Sequence, residues 1–382
     1  MARIKQNNFV LRIGIAGSSG FVGLHLRFLL YEQRDKYKPV LIHKADFKDH
    51  EKLMKKLKKC DVVVHLAGLN KGEEKEIYDT NMGLTKTLLS TLDGMNKKPK
   101  IIFLSSVHNV RDTAYGRSKR DSEKLIMDWG IKNKTFTHSL VAPHIFGEFG
   151  KPYYNSAVAT LCFELSKNKN STINKDAKVE LIYVRDICSL IVNLIEKGAT
   201  KKTTLLHGKK IQLTSVYSRL KHLRDEYFSH VIPLLKSTFD LHLFNTFRSY
   251  LYPDHFPVSF ELKIDDRGSF VEIAKTKIGG QTSFSTTHAK KDIIRGNHYH
   301  TRKIERFCVV SGLAIIKLRK LFSNRIFEYK VTGLKPVYID IPTYYTHSIE
   351  NVGSKELLAV FWINEIYDPN DPDTFSEPVL LS

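Results

Sequence analysis

The sequence predicts an N-terminal α/β domain built on a parallel sheet, followed by an all-β domain, and three observations carry that prediction. An apolar run at residues 10–16 enters the turn Gly17-Ser18-Ser19-Gly20-Phe21-Val22-Gly23, and a helical stretch follows at 24–32, the strand, turn and helix order of a βα unit. Further short apolar runs at 39–42, 61–68 and 101–106 read as buried strands of the same sheet. Far downstream, His298 and His300 stand two apart and His347 lies in a second β-like block. In strands, residues two apart share a face.

Taken in order, the glycine turn comes first. Gly17 permits the tight turn, Gly20 lets backbone approach a pyrophosphate, and Gly23 lets helix pack on strand, while Phe21 and Val22 open a helix whose unpaired N–H groups favour an anion. That is a Rossmann-type dinucleotide site. After the second strand, the position of a ribose-binding carboxylate holds His43-Lys44; basic residues there favour the 2′-phosphate, hence NADPH over NADH. The third strand ends in Leu66-Ala67-Gly68, a small-residue turn able to lie against the cofactor.

Residues 101–106 deliver Ser105 and Ser106, and Tyr115-Gly116-Arg117-Ser118-Lys119 follows. On a helix, positions i and i+4 share a face, so the Lys119 ammonium can approach the Tyr115 phenol and favour its ionised form. Tyr115 is then a proton donor to a ketone undergoing reduction. The order of glycine turn, Leu-Ala-Gly, Ser-Ser and Tyr-x-x-x-Lys resembles the extended short-chain dehydrogenases/reductases over residues 10–200. That resemblance implies Ser106 as the group on the substrate oxygen, with Ser105 second, and Asn81 as the family's helix asparagine. Two departures stand out. Val141-Ala142-Pro143-His144-Ile145-Phe146-Gly147 lacks the family's arginine and has His144 for its asparagine, and only eight residues separate Ser106 from Tyr115.

Residues 197–256 have apolar positions at near-helical spacing, among them Leu223, Tyr227, Val231 and Leu235, with Pro233 interrupting them. Two short helices fit better than one. They are expected to pack on the α/β domain, giving domains at 1–200, 201–256 as a helical connector, and 257–382.

In the β-domain, His298, His300, Glu305 and His347 read as a metal site. Three imidazoles and a carboxylate suit zinc, iron, manganese or nickel in the divalent state. His298 to Glu305, the turn at Gly312, and Pro342 to Asn351 resemble the two-part signature of the cupin barrel over residues 265–351, with Tyr344 where that family usually has glycine. Asp266-Arg267-Gly268-Ser269-Phe270-Val271-Glu272 and Arg295-Gly296-Asn297-His298-Tyr299 resemble blocks of the nucleotide-sugar 3,5-epimerases. In their metal-free members the histidine at the place of His298 is the base; here the metal either acts as Lewis acid or holds the site. The pairing of the two domains, through Trp362-Ile363-Asn364-Glu365 and on to Asp368 and Thr374, resembles bifunctional capsular-polysaccharide enzymes. That resemblance implies C3 epimerisation of a UDP-4-keto-6-deoxy-HexNAc by the cupin, reduction at C4 with NADPH, and a homodimer.

Composition sets limits. The chain has 382 residues, 42% of them hydrophobic, and four cysteines, Cys60, Cys162, Cys188 and Cys308, without metal or disulfide spacing. No apolar run approaches the roughly 18 residues of a spanning helix, and the start reads as a first strand, not a signal peptide; a cytoplasmic enzyme fits. The net charge of +20 raises nucleic-acid binding as a competing class, but acidic residues interrupt the lysine runs and no nucleic-acid module is present. A basic field also attracts a UDP diphosphate. A further alternative keeps the reductase and makes the cupin a non-catalytic sugar-binding or dimerisation module.

Overall fold

The computed structural model describes residues 10–260, 263–265, 268–270, 273–276, 279–289 and 293–381. Asp266, Arg267, Val271 and Glu272 of the epimerase-like block lie outside the described residues. The chain divides into two compact units: Met1–Thr160 with Asn174–Leu213, and Leu161–Ile173 with Thr214–Ser382.

The first unit is the expected α/β domain. Strands β1 (Leu11–Ala16), β2 (Tyr37–Ile42), β3 (Val62–His65), β4 (Lys100–Ser106) and β5 (Thr137–Ala142), together with Thr203–Leu205, form a six-stranded sheet in the order β2-β1-β3-β4-β5 and then Thr203–Leu205. Every pairing in it is parallel. Helices α1 (Phe21–Glu32), α2 (His50–Leu57), α3 (Glu74–Asp93) and α4 (Ala114–Lys132) connect the strands. The strands read as apolar runs because both faces are covered: Val63, Ile101 and Phe103 pack with Leu53, Leu88, Leu92, Ile126 and Trp129 in one buried cluster. The sheet's carboxyl ends therefore meet the starts of α1 and α4, which is where an open parallel sheet presents a ligand crevice.

The second unit carries the β-domain, two five-stranded antiparallel sheets. Alternation is visible along the first part of Leu313–Lys320, where Ala314, Ile316 and Leu318 are buried and Leu313, Ile315 and Lys317 less so, the period-2 pattern of a half-buried strand. The expected pair of helices is present at Leu213–Phe228 and Thr238–Arg248. Their packing differs from the expectation. Beyond Leu213 they belong to the second unit, where the Tyr227 hydroxyl donates to Asp340, itself paired with Arg306 at 2.7 Å, and Arg248 donates to the Ile341 carbonyl at 2.7 Å. Arg306 and Asp340 are both almost wholly shielded, and Tyr227 supplies one of the further hydrogen bonds that a buried pair requires.

Candidate functional sites

In the α/β domain the glycine turn is dictated by contact. Gly17 has φ +91°, and a Cβ there would lie 2.7 Å from the Ala67 nitrogen. A Cβ on Gly23 would lie 2.2 Å from the Gly17 carbonyl oxygen. Gly20 caps α1 without a side-chain bond, and the first turn of α1 has no acidic residue, so its leading amides are open to an anion. Gly17, Gly20, Phe21, Val22, Gly23, Leu66 and Gly68 line a cavity of about 630 Å³ together with Ser106, Tyr115 and Lys119. Ala67 supports the wall from behind Gly17. Asn81 is buried and holds the wall together, bonding the Leu69 backbone at both ends and the Ser118 hydroxyl on α4.

His43 is exposed and its Nδ1 meets the Ser18 and Ser19 hydroxyls at 3.3 and 3.0 Å; Lys44 is also exposed. The carboxylate following β2, Asp46, is buried. Burial opposes its charge, but Lys56 at 2.5 Å and the His43 amide hold its carboxyl down at about 2.

The two serines of β4 part company, as neighbours on a strand must. Both line the cavity, but Ser105 donates to Glu123 at 2.9 Å, whereas the Ser106 hydroxyl accepts from the His108 amide at 3.2 Å. Lys119 is buried, donates to the Leu104 carbonyl at 2.9 Å, and is drawn down to about 8 by burial. Its nitrogen stands 5.9 Å from the centre of the Tyr115 ring. The expected phenolate is not favoured in this arrangement. Burial pushes Tyr115 up to about 12, outweighing the opposing influence of the Ser106 hydroxyl, because desolvation penalises the anion and the ammonium is aimed at a carbonyl. Sequence reasoning missed His108 and Tyr154, both lining residues. The His108 ring lies 5.4 Å from that of His144 and 6.5 Å from that of Tyr115, and burial and Arg111 lower both histidines. His108 sits in the unusually short stretch after Ser106, the one signal that could have found it.

The β-domain brings the other four residues together. One ligand atom from each of His298, His300, Glu305 and His347 lies within 4.8 Å of the rest. A register shift between Gly296 (φ +101°) and His298 sets His298 directly opposite His347. His300 stands one residue past the strand Ile294–Tyr299, so a turn, and not the strand's alternation, aims it. Its Nε2 lies 3.0 Å from Glu305, and that of His347 lies 3.3 Å from the same oxygen. Burial opposes the Glu305 charge, but the His300 hydrogen bond and the neighbouring imidazoles hold its carboxyl at about 2; burial opposes a charge on His300 too, and Glu305 raises it nonetheless. Burial lowers His298, and lowers His347 to about 3. Neither nitrogen of buried His347 has a hydrogen-bond partner, which is costly unless a cation takes the lone pair. The residues therefore fit a divalent ion by donor type and by this orphaned imidazole. Tyr344 keeps the backbone of the glycine it replaces, with φ +64°, and its amide donates to the His300 carbonyl at 2.8 Å.

A dinucleotide-type sheet whose crevice holds serine, tyrosine and lysine defines a class, and the chain belongs to it: residues 13–206 match the NAD dependent epimerase/dehydratase family, and residues 263–375 match the polysaccharide biosynthesis C-terminal domain. Over 97% of its length it is similar to the capsular polysaccharide assembling protein CapF from Staphylococcus aureus, at 32% identity, 100% coverage of that chain and a TM-score of 0.62. It is 28% identical over 370 residues, 96% of this chain and 98% of the relative, to the UDP-2-acetamido-2,6-beta-L-arabino-hexul-4-ose reductase of Pseudomonas aeruginosa. RMD from P. aeruginosa, solved with NADPH, shares the fold at 16% identity and a TM-score of 0.55, covering 63% of this chain and 98% of that one.

Proposed function

We propose that this chain is a bifunctional nucleotide-sugar enzyme: the β-domain inverts C3 of a UDP-4-keto-6-deoxy-HexNAc, and the α/β domain reduces the C4 ketone with NADPH to UDP-N-acetyl-6-deoxy-talosamine, in UDP-N-acetyl-L-fucosamine and capsular polysaccharide synthesis. The observation that carries it is one cavity lined both by the glycine turn and by Ser106, Tyr115 and Lys119. The similarity to CapF and to the P. aeruginosa reductase along almost the full chain supports it.

NADPH, when bound, supplies the hydride. Ser106 and Tyr115 then share the C4 oxygen, and Tyr115, protonated at neutral pH, delivers its proton there as negative charge develops. Lys119 places a positive charge beneath the phenol, which matters once the proton has left. The open amides of α1 and the glycine turn take the pyrophosphate. His43 and Lys44 take the 2′-phosphate; Asp46, engaged by Lys56 and the His43 amide, is not free for a ribose hydroxyl.

In the β-domain, the C4 ketone acidifies the C3 proton. His298, His300, Glu305 and His347 would hold a divalent ion, zinc foremost, supplying either Lewis acidity or stiffness. The near-complete burial of His300 and His347 favours the supporting role. This reading goes with a cytoplasmic homodimer acting on UDP-amino sugars, and with no role for nucleic acid.

Pure protein incubated with NADPH and a UDP-4-keto-6-deoxy-HexNAc, followed by NMR, tests it. Solvent deuterium should enter at C3 and hydride at C4. Reduction without C3 exchange would leave the β-domain a non-catalytic module; no turnover of either kind would overturn the reading.

A further inference from the structure

We infer that Asp373, in the C-terminal segment, is a positioning residue for the metal centre, setting which nitrogen of His300 faces the ion. The inference rests on the proposed divalent-ion site and adds a residue far outside the motif that defines it.

His300 lies beyond the end of its strand; the Tyr344 amide holds its carbonyl, but no strand ladder directs its ring. Asp373 does. Its main-chain oxygen accepts from His300 Nδ1 at 2.6 Å. A carbonyl only accepts, so Nδ1 must carry a proton, which makes Nε2 the nitrogen that can give up its own and offer a lone pair to an ion. Nε2 is the atom facing Glu305. The carboxylate of the same residue gathers the turn that follows: the amides of Thr301, Arg302 and Lys303 reach it at 3.0, 2.9 and 2.9 Å, and the Thr301 hydroxyl at 2.6 Å. Asp373 is 2% exposed, so these donors are not traded for water.

The flanking residues secure the same strand. Phe375 stacks on Tyr299 at 5.3 Å, Ser376 pairs with His298, and the Glu377 amide donates to the Asn297 carbonyl at 2.8 Å. One segment thus braces His298 and His300. Partners that fix the tautomer and direction of a ligating histidine typically govern metal affinity by roughly 10- to 100-fold.

The test compares full-length parent, Asp373→Ala, Asp373→Asn and Thr301→Val for zinc affinity by competition with a chromophoric chelator. Folding is followed separately by thermal unfolding. Asp373→Ala should weaken zinc by about 10- to 100-fold, Asp373→Asn and Thr301→Val by less, while NADPH affinity is unchanged. Equal zinc affinity in parent and folded Asp373 variants would overturn the inference, even if their unfolding temperature fell. A parent that takes up no stoichiometric zinc would instead overturn the metal reading. If Asp373→Ala fails to fold, imidazole ¹H–¹⁵N correlations of the metal-free parent decide: His300 protonated on Nδ1 supports the inference, and protonation on Nε2 alone refutes it.

Discussion

Replacing Tyr115 with phenylalanine removes one hydroxyl from the cavity wall and leaves the ring in place. A positioned general acid contributes roughly 10²- to 10⁴-fold, which at about 1.4 kcal/mol per tenfold is about 3–5 kcal/mol of barrier. Losing one neutral hydroxyl costs about 1 kcal/mol of folding stability or less, so the variant should fold. Because burial holds Tyr115 at about 12, its proton is present throughout the neutral range, and the loss should be uniform from about pH 6 to pH 8. The assay follows NADPH oxidation with the 4-keto sugar under saturating cofactor, alongside fluorescence titration of NADPH binding and deuterium uptake at C3. Oxidation should fall by the stated factor while cofactor affinity and C3 exchange stay near the parent values. A variant that still reduces the ketone within about threefold of the parent would refute Tyr115 as the acid.

Three further outcomes follow from the geometry. Lys44→Asp exchanges an attractive charge for a repulsive one beside the expected 2′-phosphate, so the Kd for NADPH should rise far more than that for NADH; equal changes would make Lys44 a bystander. His300→Ala should lose metal and C3 epimerisation together, with reduction of an already epimerised substrate intact; full metal content in elemental analysis would disprove the ligand set. Burial draws Lys119 down to about 8 from 10.5, so reduction should decline as pH rises through about 8. Between about 8 and 10.5 the unfolded chain binds more protons at this lysine, so its contribution to stability grows with pH over that window. Lys119→Met should flatten both trends; a parent rate that stays level to about pH 9.5 would count against an ammonium role.

The parallel sheet was legible because its strands are apolar on both faces and Gly17 and Gly23 sit where backbone packs on backbone. The two serines of β4 were legible as a pair, and both reach the cavity, but only the Glu123 contact shows which one is already engaged. Tyr115 was recognisable by spacing; its proton affinity was not, since desolvation by distant chain outweighs a neighbour four residues away. His108 and Tyr154 escaped notice in irregular segments with no period to read. The helices after Leu213 were visible in their apolar spacing, yet their partner was hidden, since Tyr227 and Asp340 meet 113 positions apart. His298, His300, Glu305 and His347 could be gathered from sequence into the cluster the structure shows, whereas the strand end before His300 and its support by Asp373, 73 positions on, could not.

The order in which the chain visits its two units has a consequence for how such a protein could be made in pieces. Leu161–Ile173 belongs with the second unit although Asn174–Leu213 returns to the first, and Lys167 and Asn168 are bonded to Asp254 and Arg224 at 2.5 Å each. Two separate chains divided after Leu213 would leave this stretch stranded on the upstream one, away from its partners on the downstream one. Separate genes for the two units could not arise from one break. A cell translating this message makes the two units in equal number.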